Sequence, residues 1–303
     1  MAAACTQPQE ERQPQAQEEA SPAQEPEFLI AYNVLENQEA DNYEVYIADA
    51  NGLNALNLSN QPGVDWVYSS HEGRLLMVSD RDTNHRRYFL YSVSSDGKDW
   101  KKLLNQELPD SWVSMHPNGK TLALCLKEDG SQNLALYHLE KDSLNWLIQN
   151  ETKLADPVFN MDGSRIAYRL LTNNTEELWV YELESGQTER VYQREKTSQK
   201  VSGYLIGPPK WLSENEIAFI GLDQGIHRIL SLNLSTKQVS RFTGDDGVEG
   251  WFDVHPNGNL LIFDSDRDQK GNYNIYQRNL ETGEVRPLVQ TEKIEMGPIF
   301  LKK

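Results

Sequence analysis

Short apolar runs recur along this chain, each placed directly after a turn residue. Gly73, Gly119, Gly163, Asn215 and Gly258 are those turn positions, spaced 46, 44, 52 and 43 residues apart. The runs behind them are Arg74-Leu75-Leu76-Met77, Lys120-Thr121-Leu122-Ala123, Ser164-Arg165-Ile166-Ala167, Glu216-Ile217-Ala218-Phe219 and Asn259-Leu260-Leu261-Ile262. A further run in each repeat carries an aliphatic residue followed by Tyr: Val45-Tyr46, Leu90-Tyr91, Leu136-Tyr137, Val180-Tyr181 and Ile275-Tyr276. One repeat substitutes Ile229-Leu230. Hairpin signals come next, as at Asn51-Gly52, Asp96-Gly97, Ser185-Gly186 and Thr282-Gly283, where Gly supplies the positive φ that tight turns demand. β-branched and aromatic residues dominate, which suits half-buried pleated strands. Each repeat therefore reads as four strands, and a period near 45 residues made only of short strands predicts an all-β propeller.

The two ends of the chain fix the number of blades. Phe28-Leu29-Ile30-Ala31-Tyr32 has the character of a second strand, so the first repeat lacks its opening strand. Gly297-Pro298-Ile299-Phe300-Leu301 has the character of an opening strand with nothing after it, like Pro157-Val158-Phe159 and Pro208-Pro209-Lys210-Trp211. In those two repeats the aromatic lies four residues before the turn. Phe300 would thus place a turn just past the C-terminus, in step with the period. The expectation is a six-bladed ring over residues 28–303, in which the C-terminal strand completes the first of six four-stranded antiparallel blades.

Pro157-Val158-Phe159-Asn160-Met161-Asp162-Gly163-Ser164-Arg165-Ile166-Ala167-Tyr168 fits the pattern Pro-x-aromatic-x-x-Asp-Gly-x-x-Ile-Ala-aromatic. Asp264-Ser265-Asp266-Arg267-Asp268, followed by Gly271-Asn272-Tyr273-Asn274-Ile275-Tyr276, fits its continuation. On these residues the chain from about 28 to 301 resembles the TolB-type propeller, a WD40-like repeat family. The resemblance implies a periplasmic protein partner, since TolB-like proteins dock a peptidoglycan-associated lipoprotein on their propeller. The N-terminal α/β domain of TolB has no counterpart in these 303 residues.

Composition changes the picture mainly at the N-terminus. Residues 1–27 are almost all Gln, Glu, Ala and Pro without an aromatic, too little apolar surface to offset the entropy of ordering, so they read as a linker. Ala2-Ala3-Ala4-Cys5 resembles the end of a bacterial lipoprotein signal, although no charged n-region or apolar h-region precedes it. Cys5 is the candidate lipidation site. Cys125, in the run Leu122-Ala123-Leu124-Cys125-Leu126, reads as a small buried hydrophobe, and no disulfide is expected. The formal charge of −17 and pI near 4.8 exclude a nucleic-acid binder and disfavour anionic membranes. A mean hydropathy of −0.66, with no apolar stretch approaching the roughly 18–20 residues of a membrane span, suits a soluble propeller.

Strand direction sends several candidate residues to one face. If the opening strand runs down, the loops from second to third strand and from fourth strand to the next blade lie on top. Trp66, Trp112 and Trp251 each fall seven residues before their turn glycine, at the start of an opening strand. Arg81 and Asp82 in Ser79-Asp80-Arg81-Asp82, and Arg267 and Asp268 in Ser265-Asp266-Arg267-Asp268, belong to upper loops of blades 2 and 6. The longest interval holds a locally basic stretch over residues 193–204, with Arg194, Lys196, Lys200 and Tyr204, read as an upper loop between blades 4 and 5. Trp and Arg are enriched at binding hot spots. The other reading is that Trp packs between blades while Asp and Arg bond within their loops; repetition favours it for each residue singly.

Asp264-x-Asp266-x-Asp268 alternates acids as calcium loops do, but the sixth and twelfth positions are Gln269 and Ile275 rather than Gly and an acid. No cofactor is expected, with a loop calcium as the lesser reading. His116 and His255 read as bottom-face turn residues too far apart to share a metal. No Gly-x-Ser-x-Gly elbow, Cys–His pairing, phosphate loop or dinucleotide fingerprint is present. The sequence thus points to a non-enzymatic protein-binding scaffold of the bacterial envelope, with a carbohydrate-binding or carbohydrate-active propeller as the alternative.

Overall fold

Residues one apart on a strand point to opposite faces, so a strand with apolar residues at every position needs cover on both sides. The computed structural model, which describes Met1 and residues 28–128, 130–149, 153–196, 203–243 and 247–302, provides that cover as a ring of six four-stranded antiparallel sheets. Blade 1 contains β1 (Phe28–Asn37), β2 (Asn42–Asp49) and β3 (Leu56–Asn57). Blade 2 is β4 (Asp65–His71), β5 (Arg74–Ser79), β6 (Phe89–Ser94) and β7 (Trp100–Lys102). Blade 3 is β8 (Ser114–Met115), β9 (Thr121–Glu128), β10 (Ser131–His138) and β11 (Ser143–Ile148). Blade 4 is β12 (Leu154–Phe159), β13 (Arg165–Leu171), β14 (Thr175–Glu182) and β15 (Thr188–Glu195). Blade 5 is β16 (Lys210–Ser213), β17 (Glu216–Asp223), β18 (Ile226–Asn233) and β19 (Val239–Arg241). Blade 6 is β20 (Glu249–Val254), β21 (Leu260–Ser265), β22 (Asn274–Asn279) and β23 (Val285–Val289).

The last strand, β24 (Ile294–Lys302), pairs antiparallel with β1, setting Leu29 opposite Leu301, Ile30 opposite Phe300 and Ala31 opposite Ile299. The chain thus closes its ring by joining its two ends in blade 1, as the apolar pattern predicts. Residues 2–27, including Cys5, lie outside the described residues, as does Lys200. Among the described residues no helix is long and apolar enough to cross a membrane.

The core is distributed among the six blade junctions rather than gathered at one centre. On β1, Ile30, Tyr32 and Val34 pack against Ile262, Ile275 and Leu288 of blade 6, while Ala31 packs with Val67, Leu75 and Met77 of blade 2. The other four junctions repeat this arrangement. Cys125 is a free thiol in the junction of blades 3 and 4, where burial pushes its pKa upward.

Candidate functional site

Several opening strands are irregular near their upper ends. Register shifts occur between Val67 and Ser69, Ala155 and Val158, and Glu249 and Phe252, and between Ala31 and Asn33 on the strand that β24 pairs with. Such bulges re-aim side chains, and Trp251 lies within one of them while Trp66 directly precedes another. Trp66 and Trp251 meet edge to face with ring centroids 5.7 Å apart, and Tyr43 lies 4.6 Å from Trp66. Trp112 precedes β8 rather than beginning it, because only Ser114 and Met115 pair there. Its backbone N–H donates to Asp156 Oδ1 (2.9 Å), and its ring stacks on Tyr68 at 5.4 Å. All three tryptophans remain partly exposed.

Below them the channel is crossed by a side chain. Lys210 Nζ lies 5.1 Å from the Trp112 ring centroid and 2.9 Å from Asp253 Oδ1, and Asp253 Oδ2 accepts the Phe300 N–H (2.9 Å). A cation on an aromatic face with a carboxylate behind it ties blades 3, 5, 6 and 1 together.

Arg81 and Arg267 behave alike and differently from rim contacts. Arg81 donates through Nε to Ser79 Oγ (3.2 Å), lies 3.8 Å from Asp65, and sets its guanidinium 3.2 Å from the Trp100 ring centroid. Arg267 donates to Ser265 Oγ (3.2 Å), lies 3.8 Å from Glu249, and sits 4.7 Å from the Tyr276 ring centroid. Their side chains are 17% and 13% exposed, so both pack along their own blades. Burial raises the Asp65 carboxyl to about 6 even with Arg81 nearby. Asp82 is exposed; Asp268, also exposed, accepts from Tyr276 Oη (2.8 Å) and Gln290 Nε2 (2.6 Å).

The stretch read as a loop over residues 193–204 is divided. Gln193, Arg194 and Glu195 extend β15, paired with Glu177, Glu176 and Thr175, because the hairpin continues beyond the apolar core. Arg194 is exposed on that outer strand. Lys196 Nζ donates to the Thr172 carbonyl (2.6 Å). Tyr204 reaches the mouth, where the Arg169 guanidinium lies 4.6 Å from its ring; burial and the nearby Asp156 push its hydroxyl up to about 12.

Sequence reasoning missed the network beneath Tyr204. Arg169 is almost wholly buried, donates to Asp156 Oδ2 (2.5 Å) and the Ile206 carbonyl (2.6 Å), and lies 3.8 Å from Glu176. Glu176 in turn accepts the Leu205 and Ile206 N–H groups (3.0 Å each). An Arg set between the apolar runs Ile166-Ala167-Tyr168 and Leu170-Leu171 was the available signal.

The three alternating acids point to three separate places. Asp264 Oδ2 accepts the Gly297 N–H (2.8 Å), Asp266 accepts from Val248 (3.2 Å) and Gly271 (3.0 Å), and Asp268 faces Tyr276. Among the described residues no group of three or more His, Cys, Asp or Glu could hold a metal ion. On the bottom face, His116 Nδ1 accepts the Asn118 N–H (3.0 Å), while His255 packs its ring 4.3 Å from Phe28 and 4.9 Å from Phe300.

No protein-family model and no curated protein matches the chain by sequence. Solved structures do. TolB from Acinetobacter baumannii superposes with a TM-score of 0.73 at 15% identity, over 91% of this chain and 67% of that one. The chain has the TolB-type six-bladed propeller fold. A putative TolB from Agrobacterium tumefaciens gives 0.63 at 14% identity, over 89% of this chain and 91% of its own. An oligogalacturonate lyase from Vibrio parahaemolyticus, another propeller, gives 0.51 at 13%, over 86% and 72%. Identities this low speak to the fold, and the TolB-type resemblance read from the repeats agrees with it.

Proposed function

We propose that this TolB-type propeller is a non-enzymatic scaffold of the bacterial cell envelope that engages a protein partner at its upper channel mouth. The observation that carries the reading is the set of partly exposed aromatics, Trp66, Trp112, Tyr204 and Trp251, backed by the buried Tyr68 under Trp112 and held above a channel that Lys210 crosses. Large rigid rings with an apolar body are what concentrate binding energy at an interface. Arg81 and Arg267 act in this reading as supports, while Asp82, Asp268, Arg194 and Lys196 stand at the exposed periphery. A lipid on Cys5, with residues 6–27 as tether, would hold the ring at the outer membrane and in the periplasm. Mass spectrometry of the mature N-terminus finding an unmodified Cys5 removes that part alone.

Photo-crosslinking decides the face. A photoreactive residue at Asp82 or Tyr204 is expected to capture one discrete partner from envelope extract, while one at Asn257 on the bottom face captures none. Capture from Asn257 only would overturn the reading. The second reading, a carbohydrate ligand, is favoured by the same tryptophans, whose faces suit pyranose stacking. A defined glycan array positive for the wild type and negative for Trp112→Ala would replace the protein partner with a sugar.

A further inference from the structure

Between blades 5 and 6 the channel mouth deepens into a cavity of about 260 Å³. Tyr204, Trp251, Tyr273 and Met296 form its walls, and Asp264 and Glu249 also line it. These two acids are only 2% and 1% exposed. Asp264 comes so near because position 250 has no side chain: a Cβ on Gly250 would lie 1.8 Å from Asp264 Oδ1. Gly297, at φ +59, lets β24 present its N–H to Asp264 Oδ2 beside the Trp251 ring. Glu249 Oε2 accepts the Ile229 N–H (3.0 Å) and the Thr243 hydroxyl.

Aromatic faces attract a cation, and carboxylates in a wall of low dielectric attract it far more strongly than they would in water. The formal charge of −17 draws basic partners from a distance. Asp264 already accepts the Gly297 and Trp251 backbone N–H groups and Glu249 accepts the Ile229 N–H, so neither offers the free pair of oxygens that a guanidinium fork grips. An ammonium, a compact point charge on a slender apolar stem, suits such a site better. We propose that this cavity receives one lysine side chain of the protein partner, its stem against Trp251 and Met296 and its ammonium toward Asp264. The assignment rests on the top-face reading and names the chemistry of what enters there.

Burial pushes the Asp264 carboxyl up to about 7. An entering ammonium favours its ionised form, so binding is accompanied by proton loss and strengthens as pH rises through 7. The other titratable groups at the cavity are Glu249, His227, Tyr204 and Tyr273, with Arg267 and Arg228 acting on Glu249.

The test uses the full chain and two probes of nearly equal shape, N-acetyl-lysine amide and N-acetyl-norleucine amide, titrated at pH 6 and pH 8 by calorimetry. The lysine probe is expected to bind at least tenfold more tightly than norleucine at pH 8, with a smaller gap at pH 6. Asp264→Asn should abolish the preference. Should that variant fail to melt cooperatively, Tyr273→Ala, a partly exposed wall residue, is expected to weaken the lysine probe several-fold at unchanged melting temperature. Equal binding of the two probes overturns the proposal, as does tighter binding of N-acetyl-arginine amide, or a folded Asp264→Asn that keeps the preference. If no probe binds while Asp82 or Tyr204 still crosslinks a partner, the lysine assignment fails and the top-face reading stands; loss of both defeats both.

Discussion

The upper loops of blades 2 and 6 are near copies, whereas the mouth between blades 5 and 6 is lined by inner positions that differ from blade to blade. In the loops, Asp80 and Asp266 each accept a backbone N–H of the preceding segment, from Val64 and Val248 respectively. Arg81 and Arg267 each bond a Ser and face an acid at the same 3.8 Å. In the mouth, equivalent inner positions of neighbouring blades diverge: Arg169 in blade 4, Gly221 in blade 5 and Asp264 in blade 6. Packing repeats because every blade faces the same geometric problem. A ligand breaks the symmetry because it meets the ring once.

The largest effect should come from removing the closure on which both regions depend. Deleting residues 297–303 strips Ile299, Phe300 and Leu301 from two blade junctions, each worth roughly 1.5–3 kcal/mol of burial, and exposes the β1 edge. Loss of a cooperative thermal transition is expected. Deleting residues 1–26 should leave the melting temperature unchanged. Similar transitions for both truncations would mean the ring does not need its closing strand.

Arg81→Ala and Arg267→Ala test the repeated loops next. Each removes a charge-assisted hydrogen bond and a cation–aromatic contact and leaves an acid less compensated, a cost of about 2 kcal/mol. Matching losses in denaturant midpoint, with partner capture retained, would sharpen the division between scaffold and site. Unchanged stability with lost capture would break it.

The pH dependence probes the unrepeated region. Burial lifts Asp264 and Glu295 to about 7 from ordinary values near 4. Between those limits the folded state holds more protons than the unfolded chain, so these groups stabilise the fold at low pH and lose that contribution as pH rises through 7. Urea unfolding from pH 4.5 to 8 should show this decline, and a folded Asp264→Asn should flatten part of it. The smallest effect belongs to Asp82→Asn, which keeps a residue tolerant of the left-handed φ of 64°. Its exposure limits the change to about 0.5 kcal/mol.

Much of the scaffold is legible in the sequence. The turn residues, the paired apolar runs and the orphan strands at both ends are local or periodic signals, and they sufficed for six blades and for the seam between β1 and β24. The candidate site was legible only in part. Trp66 and Trp251 meet edge to face, while Trp112 stacks on Tyr68 instead. The start of the basic stretch is not loop: Gln193, Arg194 and Glu195 are strand, since pairing with β14 continues where apolar periodicity has stopped.

By itself, then, the sequence determined the blade count and the manner of closure, because turn chemistry and two-residue alternation act within a few residues. Only the tertiary structure decided that Arg81 turns toward Trp100 instead of solvent, and that Asp264, Trp251, Tyr273 and Met296 share one cavity. Those outcomes depend on which strand lies beside each loop and on bulges that re-aim single side chains. Both arise from contacts between segments far apart in the chain, which no local pattern encodes.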